Sequence, residues 1–177
     1  MKIAEVENSI KYWLGKYPSH WQVLRIKNLF REIDNRSVNG DEELLSVSQY
    51  TGVTPKRDSL ENEDDFISNA ETLENYKKVA VGELVINIML EWNGSLGISP
   101  YDGITSPAYS VYRFNEKINP KYFHYLFRTK AMSSYFRSVS SGVIESRLRM
   151  YTIDFFKLYS FIPPLPEQTA IANYLDS

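Results

Sequence analysis

Cysteine is absent from the 177 residues, and histidine occurs only twice, at His20 and His124. Without thiols there is no disulfide framework, no cysteine nucleophile and no thiolate metal site. The two histidines lie far apart and read more simply as polar edges on a turn and a helix than as metal ligands. Long apolar runs are missing too: none approaches the ~20 residues that a membrane helix needs. The N-terminal stretch MKIAEVENSIKYW carries Glu5 and Glu7 and lacks a continuous apolar core, so it does not read as a signal peptide. A cytoplasmic protein is the expectation.

Glycine is sparse, with 8 in the chain, and no two form a G-x-G pair. This removes the glycine-rich turn that cradles a dinucleotide or a methyl donor. The single Gly-Lys pair, Gly15-Lys16, is followed by Tyr17, which offers no hydroxyl at the metal position of a P-loop. No lysine has Asp or Glu two residues before it. The acid-x-lysine strand of a Mg²⁺ nuclease is therefore missing. TSPAY (105–109) resembles the loop by which amino-methyltransferases hold a flipped base, but Ala108 stands where the second proline belongs. The sequence argues for binding, not catalysis.

What is present fits one globular domain: 43% hydrophobic residues and a mean hydropathy of −0.36. The net charge of −2 hides an internal polarity. Residues 58–83 hold Asp58, Glu61, Glu63, Asp64, Asp65, Glu71, Glu74 and Glu83 against Lys77 and Lys78. Residues 113–157 reverse the balance, with Arg113, Lys117, Lys121, Arg128, Lys130, Arg137, Arg147, Arg149 and Lys157 against Glu116, Glu145 and Asp154. Such asymmetry fits either one basic face on an acidic body or charge that intermixes on folding.

Alternation over Trp21–Ile26 predicts a strand, as do 43–53 (ended by Gly52), Leu84–Met89, 108–115 and Leu158–Ile162. Residues 54–75 are polar and read mostly as loop, and 91–109 as loops and hairpins. Asn119 as N-cap, Pro120 at the first position and the face Tyr122, Phe123, Leu126, Phe127 predict a helix running to about Phe136. A flexible loop at Gly142 and a short helix follow. The final segment, IPPLPEQTAIANYLDS, predicts a second helix from Pro166, with Ile171, Ala172 and Leu175 starting an apolar stripe. The fold class is α+β, a single mixed-sheet domain over 1–165 with an outgoing, protruding helix over 166–177. That helix is too short to be stable alone.

Several pieces follow one another in a recognisable order: VSQYTGV, YKKVAVGELVINIMLEWNGSLGIS, GITSPAYSVY, NPKYFHYLFRT and SSGVIESRLRMYTIDFFKLYSFIPPLPEQTAIANYLD. From about His20 onward the chain resembles a target-recognition domain of the DNA specificity subunit of type I restriction–modification enzymes. PPLPEQTAIANYL is the most specific element and GITSPAY the next. The resemblance implies double-stranded DNA as ligand, with no cofactor, metal or catalysis in this chain. It further implies methyltransferase (modification) subunits as partners and, through them, restriction subunits that translocate and cleave. In that family two such domains are joined by long antiparallel helices that space the halves of a bipartite site. The helix from Pro166 then reads as the first turns of that spacer, truncated here. A second recognition domain would lie in the same or another chain.

A base-reading surface needs amides and arginines for groove edges and further bases for phosphate. Gln49 and Tyr50 at a strand end, Thr54, Lys56 and Arg57 in the next loop, and Trp92 and Asn93 beside Gly94 are candidates. Arg137, Ser140, Ser141, Arg147 and Arg149 form a third group. Gln49, Asn93 and the arginines are assigned to bases, Lys56 and the serines to phosphate, though Trp92 reads equally as core. On a helix Arg147 and Arg149 would point about 200° apart, so only one would reach a base. The alternative to a DNA-binding domain is a protein-interaction module that docks a partner through its C-terminal helix without binding DNA.

Overall fold

A computed structural model describes residues 3–56, 72–89, 93–115, 118–142 and 148–177. Arg57, Trp92 and Arg147 lie outside the described residues, as does most of the polar stretch 54–75. The α+β class holds, with helices set against several small antiparallel sheets. The largest sheet contains β2 (Phe30–Ile33), β6 (Leu84–Ile86), β7 (Leu96–Ile98) and β9 (Ser110–Phe114), in the order β2-β9-β6-β7. Around it lie the pair β1 (Gln22–Arg25) with β10 (Tyr159–Ile162), the hairpin β3 (Leu45–Ser48) with β4 (Gly52–Pro55), and the pair β5 (Lys77–Val79) with β8 (Gly103–Thr105). Among the described residues all strand pairings are antiparallel, and one parallel bridge, Leu44 to Ile104, ties the hairpin's entry to β8.

The period-2 alternation of side chains explains how this sheet is buried on both faces. Leu84 pairs with Tyr112, and both, with Ile86, enter an aromatic core that also holds Phe30, Phe123, Phe127, Phe136 and Phe155. Val85 pairs with Val111 on the opposite face and joins Leu45, Val47, Val53 and Val79 in a second, smaller cluster. Phe30 is the hub of the first core, its ring 4.4 Å from Phe114, 5.7 Å from Phe123 and 5.8 Å from both Phe127 and Phe155. Offset and edge-on contacts of this kind add to the area buried by each ring.

Helices α1 (Ile3–Leu14), α3 (Pro120–Phe127), α4 (Lys130–Val139) and the short α2 (Ile26–Leu29) and α5 (Thr152–Phe155) complete the domain with α6 (Leu165–Asp176). Asn119 caps α3 as expected, its side chain accepting from Lys121 N at 3.0 Å. The single helix expected to reach Phe136 is instead two. Arg128 leaves helical geometry at φ −93°, ψ 3°, and Thr129 becomes a new N-cap whose hydroxyl accepts from Met132 N at 3.3 Å. The strand expected over 43–53 is likewise two strands of a hairpin, because Gly52, at φ +76°, closes the turn and opens β4.

The C-terminal helix does not stand clear of the domain. Its first turns lie against α3, Ala172 is fully buried, and Ile171 packs on the aromatic core. Ala172, expected on an outward stripe, is corrected to a core position. The helix's other side faces outward along its length, at Leu165, Pro166, Thr169, Ala170 and Asn173, and in the last turn Tyr174 is 80% and Leu175 49% exposed. The reason is polar as much as apolar. Gln168, 1% exposed, accepts from Asn119 N at 2.9 Å and donates to Pro163 O at 2.8 Å. Glu167 receives Trp21 Nε1 at 2.8 Å and pairs with His20 at the same distance, and these bonds, His20 first, hold its carboxyl below the ordinary range. At the far end Asp176 pairs with Lys121 and accepts from Tyr125 OH at 2.5 Å.

Candidate nucleic-acid interface

Gln49 and Tyr50 occupy the tip of the β3–β4 hairpin, where Ser48 pairs with Gly52. Both side chains are exposed, Tyr50 to 71%. The tip is held by its backbone. Tyr50 N donates to Ser48 Oγ at 3.0 Å, and the buried Ser48 thereby shapes the turn. From below, the Arg128 guanidinium donates to Gln49 O at 2.8 Å, Tyr50 O at 3.0 Å and Leu96 O at 3.1 Å. One side chain at the end of α3 thus joins the hairpin tip to β7.

His124, one turn earlier on α3, accepts from Ile98 N through Nδ1 at 3.2 Å. Acceptance there requires an unprotonated Nδ1. Burial, then the neighbouring Arg128 charge, push its pKa down to about 4, so the ring is neutral near pH 7. Two glycines make the close packing possible. A Cβ on Gly52 would lie 2.8 Å from the Arg128 guanidinium, and one on Gly97 would lie 3.1 Å from Gly52 Cα.

The second group lies in the connector from β6 to β7. Asn93 Oδ1 accepts from Ser95 N at 3.1 Å and Ser95 Oγ at 2.8 Å, so its carbonyl is committed to its own turn and only its amide nitrogen is left to donate outward. Asn87 N bonds Ser95 O at 3.1 Å and closes the base of this connector. The third group adjoins it: Met150 N donates to Ile88 O at 3.1 Å, and Ser141 and Arg149 exchange two backbone bonds of 2.9 Å. Arg149 is therefore in an extended bridge, half-buried, and not on a helix, which removes the helical separation expected between it and Arg147. Ser140 caps α4, its hydroxyl donating to Phe136 O at 2.9 Å, and Arg137 is exposed on the last turn of that helix.

Thr54 and Lys56 are not part of this grouping. Leu45 pairs with Pro55 at the open end of the hairpin, and Lys56 N bonds Leu44 O at 2.7 Å. Three residues of strand place them roughly 10 Å from the tip. Thr54 Oγ1 is buried without a partner among the described residues. Arg128 and His124 are the positions bracing this grouping that sequence reasoning missed. Arg128 stood only as one member of a basic tract, and His124 as a polar helix edge.

Among the described residues no group of three or more His, Cys, Asp or Glu is placed to hold a metal, and no helix is long and apolar enough to cross a membrane. The sheet is covered on both faces, and the connector from β6 to β7 adjoins the segment around Arg149 and Met150. The sequence matches the model of the type I restriction modification DNA specificity domain over residues 18–177, and the chain belongs to that family. Its fold is similar to the crystal structure of the HsdS subunit from Thermoanaerobacter tengcongensis, at TM-score 0.59 and 14% identity, covering 98% of this chain and 43% of that one. A chain from a study of complex assembly and conformational transition of the type I R-M system matches at the same TM-score and identity, with 98% and 44% covered. The chain thus spans less than half the length of these structures. No curated protein matches its sequence. The family is one of DNA-specificity domains and is non-catalytic.

Proposed function

We propose that this domain reads one half of a bipartite DNA target for a cytoplasmic type I restriction–modification complex. Methyl transfer and cleavage reside in its modification and restriction partners, and a second recognition domain reads the other half-site. The family match over residues 18–177 carries the proposal. Its chemistry is supported by the hairpin tip, where Gln49 offers an amide at an exposed, backbone-braced turn beside the Asn93 connector. An amide of this kind reads adenine through a bidentate pair in the major groove. Arg137 and the exposed Ser141 fit phosphate, as does Arg149 from the neighbouring bridge.

The test is selection from a random duplex library by the protein assembled with modification subunits, followed by anisotropy titrations at several salt concentrations. The expected result is one enriched half-site, with log affinity falling linearly in log salt by about 0.9 per neutralised phosphate. Gln49→Ala should relax selection at one base pair, at a cost of about 1–3 kcal/mol. Recovery of no enriched sequence, while the modification subunits still bind, would establish the docking-module reading instead. That second reading draws on the exposed Tyr174 and Leu175 at the end of α6.

A further inference from the structure

We infer that Arg128 is a positioning residue for target choice: it sets the pose of the Gln49–Tyr50 tip without itself touching DNA. This rests on the DNA-reading function proposed above. All three of its bonds are to main-chain carbonyls, Gln49 O, Tyr50 O and Leu96 O, at 2.8–3.1 Å. A planar guanidinium presents its donors in a fixed fork, so three carbonyls from two elements can be satisfied together only in one relative placement of tip and β7. The charge suits its position, since a cation at the C-terminal end of α3 meets the negative end of the helix dipole.

The surrounding chain is shaped to admit this side chain. Gly52 leaves the space into which its own Cβ would collide with the guanidinium at 2.8 Å, and Gly97 lets β7 approach β4 to backbone contact. The guanidinium is half-buried beneath the tip, and three of its five N–H donors are spent on carbonyls. A residue placed to contact phosphate would do the reverse. Base reading requires side chains held to within about half an ångström, and a tip of three residues has no such rigidity of its own.

The experiment compares wild type, Arg128→Ala and Arg128→Lys in the protein assembled with modification subunits. Affinity for the selected duplex and for a shuffled one is measured across salt. Amide exchange over residues 48–52 is followed in the same preparations. Loss of the clamp should reduce the selected-to-shuffled ratio by about tenfold. Shuffled affinity and salt slope should stay unchanged, and tip exchange should quicken about tenfold. Arg128→Lys keeps the charge and the fold but not the fork, and should behave like the alanine variant in the ratio. A salt slope lower by about one unit, with both duplexes weakened alike, would make Arg128 a phosphate contact and overturn the inference. An unchanged ratio together with unchanged exchange would overturn it as well. If wild type selects no sequence, the DNA-reading function itself fails, a result that the variants cannot mimic.

Discussion

Replacing Gln168 should loosen the C-terminal helix more than any exposed substitution on it. The side chain is 1% exposed and satisfies two main-chain groups at once, the Asn119 N–H at 2.9 Å and the Pro163 carbonyl at 2.8 Å. Gln168→Ala removes both partners and strands a donor and an acceptor in a site closed to water. Each buried orphan costs about 1–3 kcal/mol, so a total of about 2–6 kcal/mol is expected. For a chain of this size that corresponds to a melting-temperature drop of roughly 4–24 °C. Gln168→Glu separates the two bonds. It keeps an acceptor for Asn119 but turns an oxygen toward Pro163 O, and a buried carboxylate there is disfavoured. Its folded pKa is therefore raised, so the stabilising contribution is present below the unfolded value of about 4.3 and is lost as pH rises. The glutamate variant should consequently be closer to wild type at pH 4 than at pH 8, whereas the alanine variant should show no such difference. Urea denaturation at both pH values reads this directly. A cost under 0.5 kcal/mol for alanine (roughly the scatter of neutral surface changes) would show that the helix is held by its apolar contacts alone.

His124 predicts a pH dependence of the opposite kind. Its pKa is depressed to about 4 in the fold, so stability is lost as pH falls from the unfolded value near 6.5 toward 4, by about 1–2 kcal/mol after allowance for partial exposure. Melting curves of wild type against His124→Asn, whose amide oxygen can accept from Ile98 N without titrating, should diverge over that interval and not above pH 7. Arg113 predicts a strong electrostatic effect. It holds Glu83, whose side chain is 4% exposed, through Nε at 2.8 Å and Nη2 at 2.6 Å, while Glu83 also receives Ala80 N. Arg113, 43% exposed, is only half-buried, so Arg113→Met should cost about 1–3 kcal/mol in denaturant unfolding by leaving the buried carboxylate with the Ala80 N–H alone, and Glu83→Gln in the same background should recover much of it.

Local signals in the sequence were a good guide wherever a few neighbouring residues decide the outcome. Asn119-Pro120 announces α3, the alternation around Val111 announces β9, and Pro163-Pro164 announces the start of α6. Where competing local patterns overlap, they were not. The aromatic face of α3 falls out of phase after Phe127: on one unbroken helix Met132, Tyr135 and Phe136 would lie roughly 110–150° around the axis from it, a break that the second cap at Thr129 accounts for. Gly52 signals a turn but not which side of it is strand, and one expected strand became a hairpin. Contacts across the chain were the least legible. Arg128 lies 79 residues from Gln49, and its importance comes from where three carbonyls meet. The outward stripe on α6 failed at Ala172 for the same reason, since the face it covers belongs to α3.

The clamp also bears on how such a domain can hold a reading surface that is free to differ in its bases. Arg128 and Ser48 grip the tip only through backbone atoms: the carbonyls of Gln49 and Tyr50, and the amide of Tyr50. The exposed side chains of Gln49 and Tyr50 contribute nothing to either grip, and changes at such positions ordinarily alter stability by no more than about 0.5 kcal/mol. Pose and chemistry are thereby assigned to different atoms. The main chain, Gly52, Gly97 and the guanidinium decide where the tip stands, and under the proposed function the two side chains would decide what it asks of a base pair. The aromatic core and the valine-rich cluster lie on opposite faces of the central sheet, and neither includes the side chains of Gln49 and Tyr50. A rigid mount that is indifferent to what it carries is what a domain needs if its role is specificity and its chemistry is left to partners.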